Sequence, residues 1–242
     1  MAKKSPEALR LELKKWQRKG KCKPNRFYFI YLIFILCLAY IVDELASNIN
    51  SIMSTKIIDT FFKGTNNNFI IFTTICSAIS FFSFFYKVLS DKFGRKPFLV
   101  INIFGMALGM FVCFLSKNIY VFLIGTLLMN FFTPCDMQVL YVIETSSDKH
   151  RGFWMTFTKA FGVMGVVLIS AFRSWAIDTM GNWQYVFLIP ACFGIGVGLI
   201  CLLFVDESGV FIQNKIMTNR SLYEMSCRMY ELYDSISIVW FL

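Results

Sequence analysis

The sequence predicts an all-α membrane protein of six transmembrane helices with both termini on the cytoplasmic side. Three observations predict it. Of 242 residues, 57% are hydrophobic and only 16% charged, with a mean hydropathy of +0.59; a soluble domain of this length needs more charge to cover its surface. Six apolar segments, at roughly 27–48, 69–88, 97–116, 119–143, 153–173 and 183–205, each approximate the ~20 residues that cross ~30 Å of hydrocarbon. Cations are one-sided: with the N-terminus inside, 19 Lys and Arg fall in inner loops and tails and four in outer loops.

The basic tail, residues 1–26, carries ten of the 24 Lys and Arg residues. Beside a hydrophobic helix it reads as a cytoplasmic anchor rather than a nucleic-acid arm. It does not lead a cleaved signal peptide, because Asp43 and Glu44 stand where small residues should mark cleavage. The transmembrane domain is expected over 27–205. Its longest outer loop is 49–68, with Gly64-Thr65-Asn66-Asn67-Asn68 as a flexible tip. Only Lys117-Asn118 separates segments three and four, so those helices are expected to be antiparallel neighbours. Residues 206–242 read as a cytoplasmic linker, helix-like from Ser221 to Asp234. It ends in Ile236–Leu242, too short to span, as though cut where another apolar segment is due.

Several chemistries are excluded. The eight cysteines show no CxxC pair and mostly lie in apolar segments, as small apolar side chains do. The single histidine, His150, lies in a polar loop. There is no glycine-rich phosphate loop, nucleophile elbow or H-E-x-x-H motif, so neither an enzyme nor a cofactor or metal site is expected. The partners expected are the lipid bilayer and a small-molecule substrate, and no nucleic acid.

Between segments two and three lies a charged island, Leu89-Ser90-Asp91-Lys92-Phe93-Gly94-Arg95-Lys96-Pro97. It resembles the G-x-L-x-D-x-x-G-R-K/R loop of the major facilitator superfamily, with Lys87 where the family opens on glycine. Tyr141, Glu144, Arg151 and Gly152 are similar to the Y-x-x-E-x6-R-G signature of its sugar-porter-like and organic-ion-transporter-like branches. Asn182-Trp183 resembles the family's W-R, with Gln184 in place of arginine, and Asp206-Glu207-Ser208 stands where P-E-S-P-R is usual. The resemblance covers about residues 30–211. It implies the N-terminal half of a fold in which two six-helix halves rock around a midplane substrate site. A fragment of a longer transporter and a half that pairs with a second half-chain both stay open, the fragment being preferred.

The resemblance also implies a cytoplasmic gate formed by Asp91, Gly94, Arg95, Glu144, Arg151 and Glu207. Gly94 would permit a tight turn, and the alternating charges would lock the inner helix ends; solvated loop charges worth ~1 kcal/mol or less are the alternative.

Charges within spans are costly and mark a substrate or proton pathway. Counted along straight helices, Asp136 and Lys159 both sit ~12 Å in from one inner loop. They are expected to approach each other, directly or through water, unless they form a purely structural pair. Lys159 occupies the position of a substrate-binding glutamine in sugar-porter-like members, which implies an anionic substrate over a neutral sugar. Asp43, in the outer half of helix one beside Glu44, resembles the proton-coupling aspartate of symporters, with Tyr40 and Ser47 on its face. Gly162, Gly165, Gly194, Gly196 and Gly198 are expected to allow close packing. The function expected is secondary active, proton-coupled transport (symport) of a small polar, anionic metabolite across the plasma membrane. The alternative is a non-transporting membrane half-protein, either a degenerate fragment or a partner-binding half.

Overall fold

The computed structural model describes Lys14 and residues 26–62, 66–146, 149–178 and 181–221. Span one is the continuous helix α1 (Arg26–Ile52), followed by a short helix α2 (Ser54–Phe61). Span two is α3 (Asn66–Ala78) and α4 (Ser83–Phe93), joined by a 3-10 turn at Ile79–Phe82. Span three is α5 (Arg95–Phe114). Span four is α6 (Ile119–Phe132) and α7 (Met137–Thr145), joined by a 3-10 turn at Thr133–Cys135. Spans five and six are α8 (Arg151–Asp178) and α9 (Tyr185–Phe204). All six are long and apolar enough to cross a membrane, and the described residues contain no strand.

Residues Arg26–Asp206 form one compact unit. The described residues from Glu207 onward belong to a second, which carries a helix α10 at 209–221 with Lys215 placed over the Phe211 ring at 5.7 Å. Most of the stretch Ser221–Asp234, the final Ile236–Leu242, Cys22 and Cys227 lie outside the described residues.

The island is not a loop. It is helical through Phe93 and again from Arg95, and Gly94 alone breaks the ladder at φ 123, ψ 155. That left-handed backbone favours glycine, so span two turns into span three within one residue. Pro97 falls in the first turn of α5, where its missing N–H costs nothing.

Spans three and four are antiparallel neighbours, as the two-residue connection predicts. Their contact is a small-residue seam. A Cβ added to Gly109 would lie 3.0 Å from the Gly125 carbonyl, and one on Gly125 would lie 2.9 Å from the Gly109 carbonyl. Small residues are how membrane helices gain van der Waals contact without a hydrophobic drive. Of the glycines singled out above, Gly165 meets the Ile41 carbonyl at 3.0 Å, Gly194 meets Ala107 Cβ at 3.0 Å, and Gly198 abuts the Phe104 ring. Gly162 seats Tyr40. Gly196 does not pack: it faces outward with nothing within 4 Å of its added Cβ.

Spans one, three and six form the centre, with span five laid along span one. Spans one and three bury more than half of their apolar windows, whereas spans two, four and five leave most of theirs uncovered. The outer loop differs from expectation. Part of it coils into α2, and the supposed tip is helical from Asn66 onward, while Lys63–Thr65 lie outside the described residues. The reason is aromatic: Phe61 stacks on Phe122 at 5.3 Å and meets Trp183 at 6.1 Å, and Phe62 meets Phe72 at 5.5 Å. Gln184, in place of the family's arginine, donates to the Ser116 carbonyl and so fastens the start of span six to the end of span three.

Candidate functional site

The site is built around a carboxylate inside span one. Asp43 is 6% exposed, and its Oδ2 accepts a 3.0 Å hydrogen bond from Nε2 of Gln138 in α7. Oδ1 of Asp43 and Oε1 of Gln138 are both buried without a hydrogen-bond partner. Gln138 is fully buried and 95 positions away from Asp43 in the chain. Sequence reading missed it, because a neutral amide among apolar residues carries no charge signal.

Two residues before Gln138, the chain is strained. Asp136 adopts φ 45, ψ 35, the one left-handed non-glycine conformation among the described residues. Such a conformation costs an L-residue about 1–2 kcal/mol, least for Asn and Asp. Pro134 in the preceding 3-10 turn ends α6, and the Asp136 carbonyl restarts the ladder by accepting from Val139 N–H at 3.1 Å and Leu140 N–H at 3.3 Å. Span four is therefore two helices with a break, not the continuous helix expected over 119–143. Pro134 was the available signal.

Asp43 lies within Coulombic range of both Asp136 and Glu44. Asp136 and Lys159 make no direct ion pair; Asp136 lies in the Coulombic range of two lysines, Lys87 of α4 and Lys159 of α8. Lys87 enters because α4 packs on the 3-10 turn, with the neighbouring Tyr86 ring 5.9 Å from Phe132. Ser80 Oγ also donates to the Asn130 carbonyl at 3.0 Å, holding span two against span four. Asp136 at the break thus lies within Coulombic range of one further carboxylate, Asp43, and of two lysines. Both lysines are exposed on the uncovered surface of spans two and five.

Glu44 is held separately, accepting from Asn48 Nδ2 at 2.9 Å. Ser47 does not serve Asp43: its hydroxyl donates to the Glu44 carbonyl at 3.2 Å. Tyr40 is buried against Gly162, within Coulombic range of Asp136, Asp43 and Glu44. A second missed residue is Asn102 in span three, fully buried, with neither amide heteroatom hydrogen-bonded.

At the island, Arg95 Nη1 pairs with Glu144 Oε1, and Arg95 Nη2 with Asp91 Oδ1 at 3.1 Å. The Arg95 and Glu144 side chains are 12% and 8% exposed, whereas Asp91 is 65% exposed. Gly94 supplies the turn that places Arg95 at the first position of α5. Nearby, Tyr141 donates to the Asp206 carbonyl at 3.3 Å, and the Asp206 N–H donates to Tyr28 Oη at 2.8 Å, joining spans four, six and one. Arg151 opens α8, and Glu207 lies in the second unit.

Residues 27–218 match the sequence profile of the Major Facilitator Superfamily. The chain belongs to that superfamily. Over 115 residues, 46% of this chain, it is 29% identical to the D-xylose-proton symporter-like 3, chloroplastic, of Arabidopsis thaliana, of which the match covers 21%. Among solved structures it resembles the human organic anion transporter MFSD10 (TETRAN), with a TM-score of 0.54 and 15% identity over 76% of this chain and 49% of that one. At that identity the likeness shows the fold, and the match spans about half of the solved chain. The six spans have the major facilitator architecture of one half, and these relatives are transporters rather than enzymes.

Proposed function

We propose that this major facilitator chain is the N-terminal half of a secondary active transporter. It moves a small polar, anionic metabolite across the plasma membrane by alternating access, with proton symport. The observation that carries this reading is the buried Asp43 carboxylate, hydrogen-bonded to Gln138 beside the break in span four. A charge within a span costs about 2.5–3.5 kcal/mol on insertion scales and is retained where it works. Asp43 takes and releases the coupled proton, with Glu44 and Asp136 as neighbouring acids. Lys159, exposed on span five, offers the substrate's carboxylate a cation. The cation asymmetry of the loops supports an island face on the cytoplasmic side. There Asp91, Gly94, Arg95, Glu144 and Arg151 form this half's share of a gate.

The uncovered surfaces of spans two, four and five support a role that requires a second six-helix half, whether a C-terminal half or a second half-chain. The same surfaces suit the second reading, a non-transporting half-protein that only binds a partner. Uptake into membrane vesicles from cells expressing this chain together with its second half, across a panel of carboxylates and neutral sugars, separates the two. The expected result is carboxylate uptake that falls about tenfold or more in Lys159→Gln. No uptake of any panel member above untransfected vesicles would support the non-transporting reading, and carboxylate uptake undiminished in Lys159→Gln would remove Lys159 from the site.

A further inference from the structure

Asp43 and Gln138 leave two acceptor oxygens, Oδ1 and Oε1, buried together without a donor. Each is an uncompensated cost in a low-dielectric interior. With Asp43 charged, the Gln138 amide spends its N–H on Oδ2 and its carbonyl has nothing to accept. Adding one proton to Asp43 adds one O–H donor, and the acceptor that an amide can turn toward it is Oε1. Glutamine is suited to both states, since one end of its side chain donates and the other accepts. Gln138 also sits in the first turn of a nine-residue helix that hangs from the strained Asp136.

We propose that Gln138 is a positioning residue through which span four follows the proton on Asp43. Its amide donates to the carboxylate when Asp43 is charged and accepts from the carboxylic O–H when Asp43 is protonated, shifting α7 about the break at Asp136. The inference rests on the proton-carrying role proposed for Asp43 and adds a residue and a moving element to it. The other charged or titratable groups facing the pair are Tyr40 and Glu44 from α1, Cys135 and Asp136 from the break, Lys87 from α4 and Lys159 from α8. None of them hydrogen-bonds Asp43 among the described residues.

Two readouts on the purified protein test it. Infrared difference spectra on acidification report the carboxylic C=O band of protonated Asp43, assigned by its loss in Asp43→Asn. Amide hydrogen exchange at Val139 and Leu140, corrected for intrinsic pH dependence, reports α7 at the break. In the unmodified protein both should change over the same pH range. In Gln138→Met, similar in length but unable to donate and only a weak acceptor, the infrared band should persist at a shifted frequency. The exchange response should then vanish, and pH-gradient-driven uptake in vesicles should fall about tenfold. An exchange response in Gln138→Met equal to that of the unmodified protein would overturn the proposal. So would an unmodified protein whose Val139 and Leu140 exchange ignores protonation of Asp43, and this arm does not depend on the variant folding. Absence of any band removed by Asp43→Asn would instead sink the proton reading of Asp43 and, with it, this inference.

Discussion

At the island end of the six-span unit, Arg95 reaches Glu144 across to span four and Asp91 back on its own turn, while Tyr28 and Tyr141 hold the backbone of Asp206. At the opposite end no such charge pairing occurs among the described residues. Phe61, Phe122, Trp183 and Phe187 interlock at ring distances of 5.3–6.5 Å. The difference is one of range and direction. Ring packing is short-ranged and is lost by separation alone. An ion pair can be exchanged for another partner and is sensitive to what neutralises it. An end that must open and close is better held by the second kind. Under the alternating access proposed above, the island would be the moving end of this unit and the aromatic cap the part it moves against.

Four changes probe that contrast. Phe122→Ala empties the centre of the aromatic cap and should cost about 3–5 kcal/mol of unfolding free energy, read in denaturant titrations of the detergent-solubilised protein; a loss below 1 kcal/mol would mean the cap is not structural. Glu144→Gln removes the buried carboxylate that faces Arg95 and should cost about 3 kcal/mol. Uptake should fall further than stability predicts if the pair belongs to a gate. Asn102→Leu lies between the two ends and should act with the opposite sign. It replaces an unpartnered buried amide with an apolar side chain of similar size, and a gain of about 1 kcal/mol is expected in the same titration. Asp91→Asn should be the mildest, under about 1 kcal/mol, because its carboxylate is largely solvated. An effect of Asp91→Asn on stability as large as that of Glu144→Gln would erase the distinction between the buried and exposed arms of the island.

Much of this was legible in the sequence, and the parts that were not share a cause. Six spans follow from runs of apolar residues because lipid demands them, and the Gly94 turn follows from the island's motif. The glycines of spans five and six announced close packing, and all but Gly196 pack. What escaped was any feature set by a partner far away in the chain. α2 exists because Phe61 and Phe62 find rings on spans two, four and six. The break at Pro134–Asp136 looked like part of an apolar run. Gln138 is ordinary in its own helix and matters only beside Asp43. Lys87 was noted as a departure from a motif, whereas its place is near Asp136.

The central claim is that Asp43 carries the coupled proton past a hinge in span four. Its most direct measurement is carboxylate uptake into membrane vesicles under an imposed pH gradient, comparing the unmodified protein with Asp43→Asn at equal expression. An acidic exterior should accelerate uptake by the unmodified protein, whereas Asp43→Asn should retain exchange down a concentration gradient but no longer respond to the pH gradient. An Asp43→Asn protein that is still driven by the gradient as the unmodified one is would contradict it.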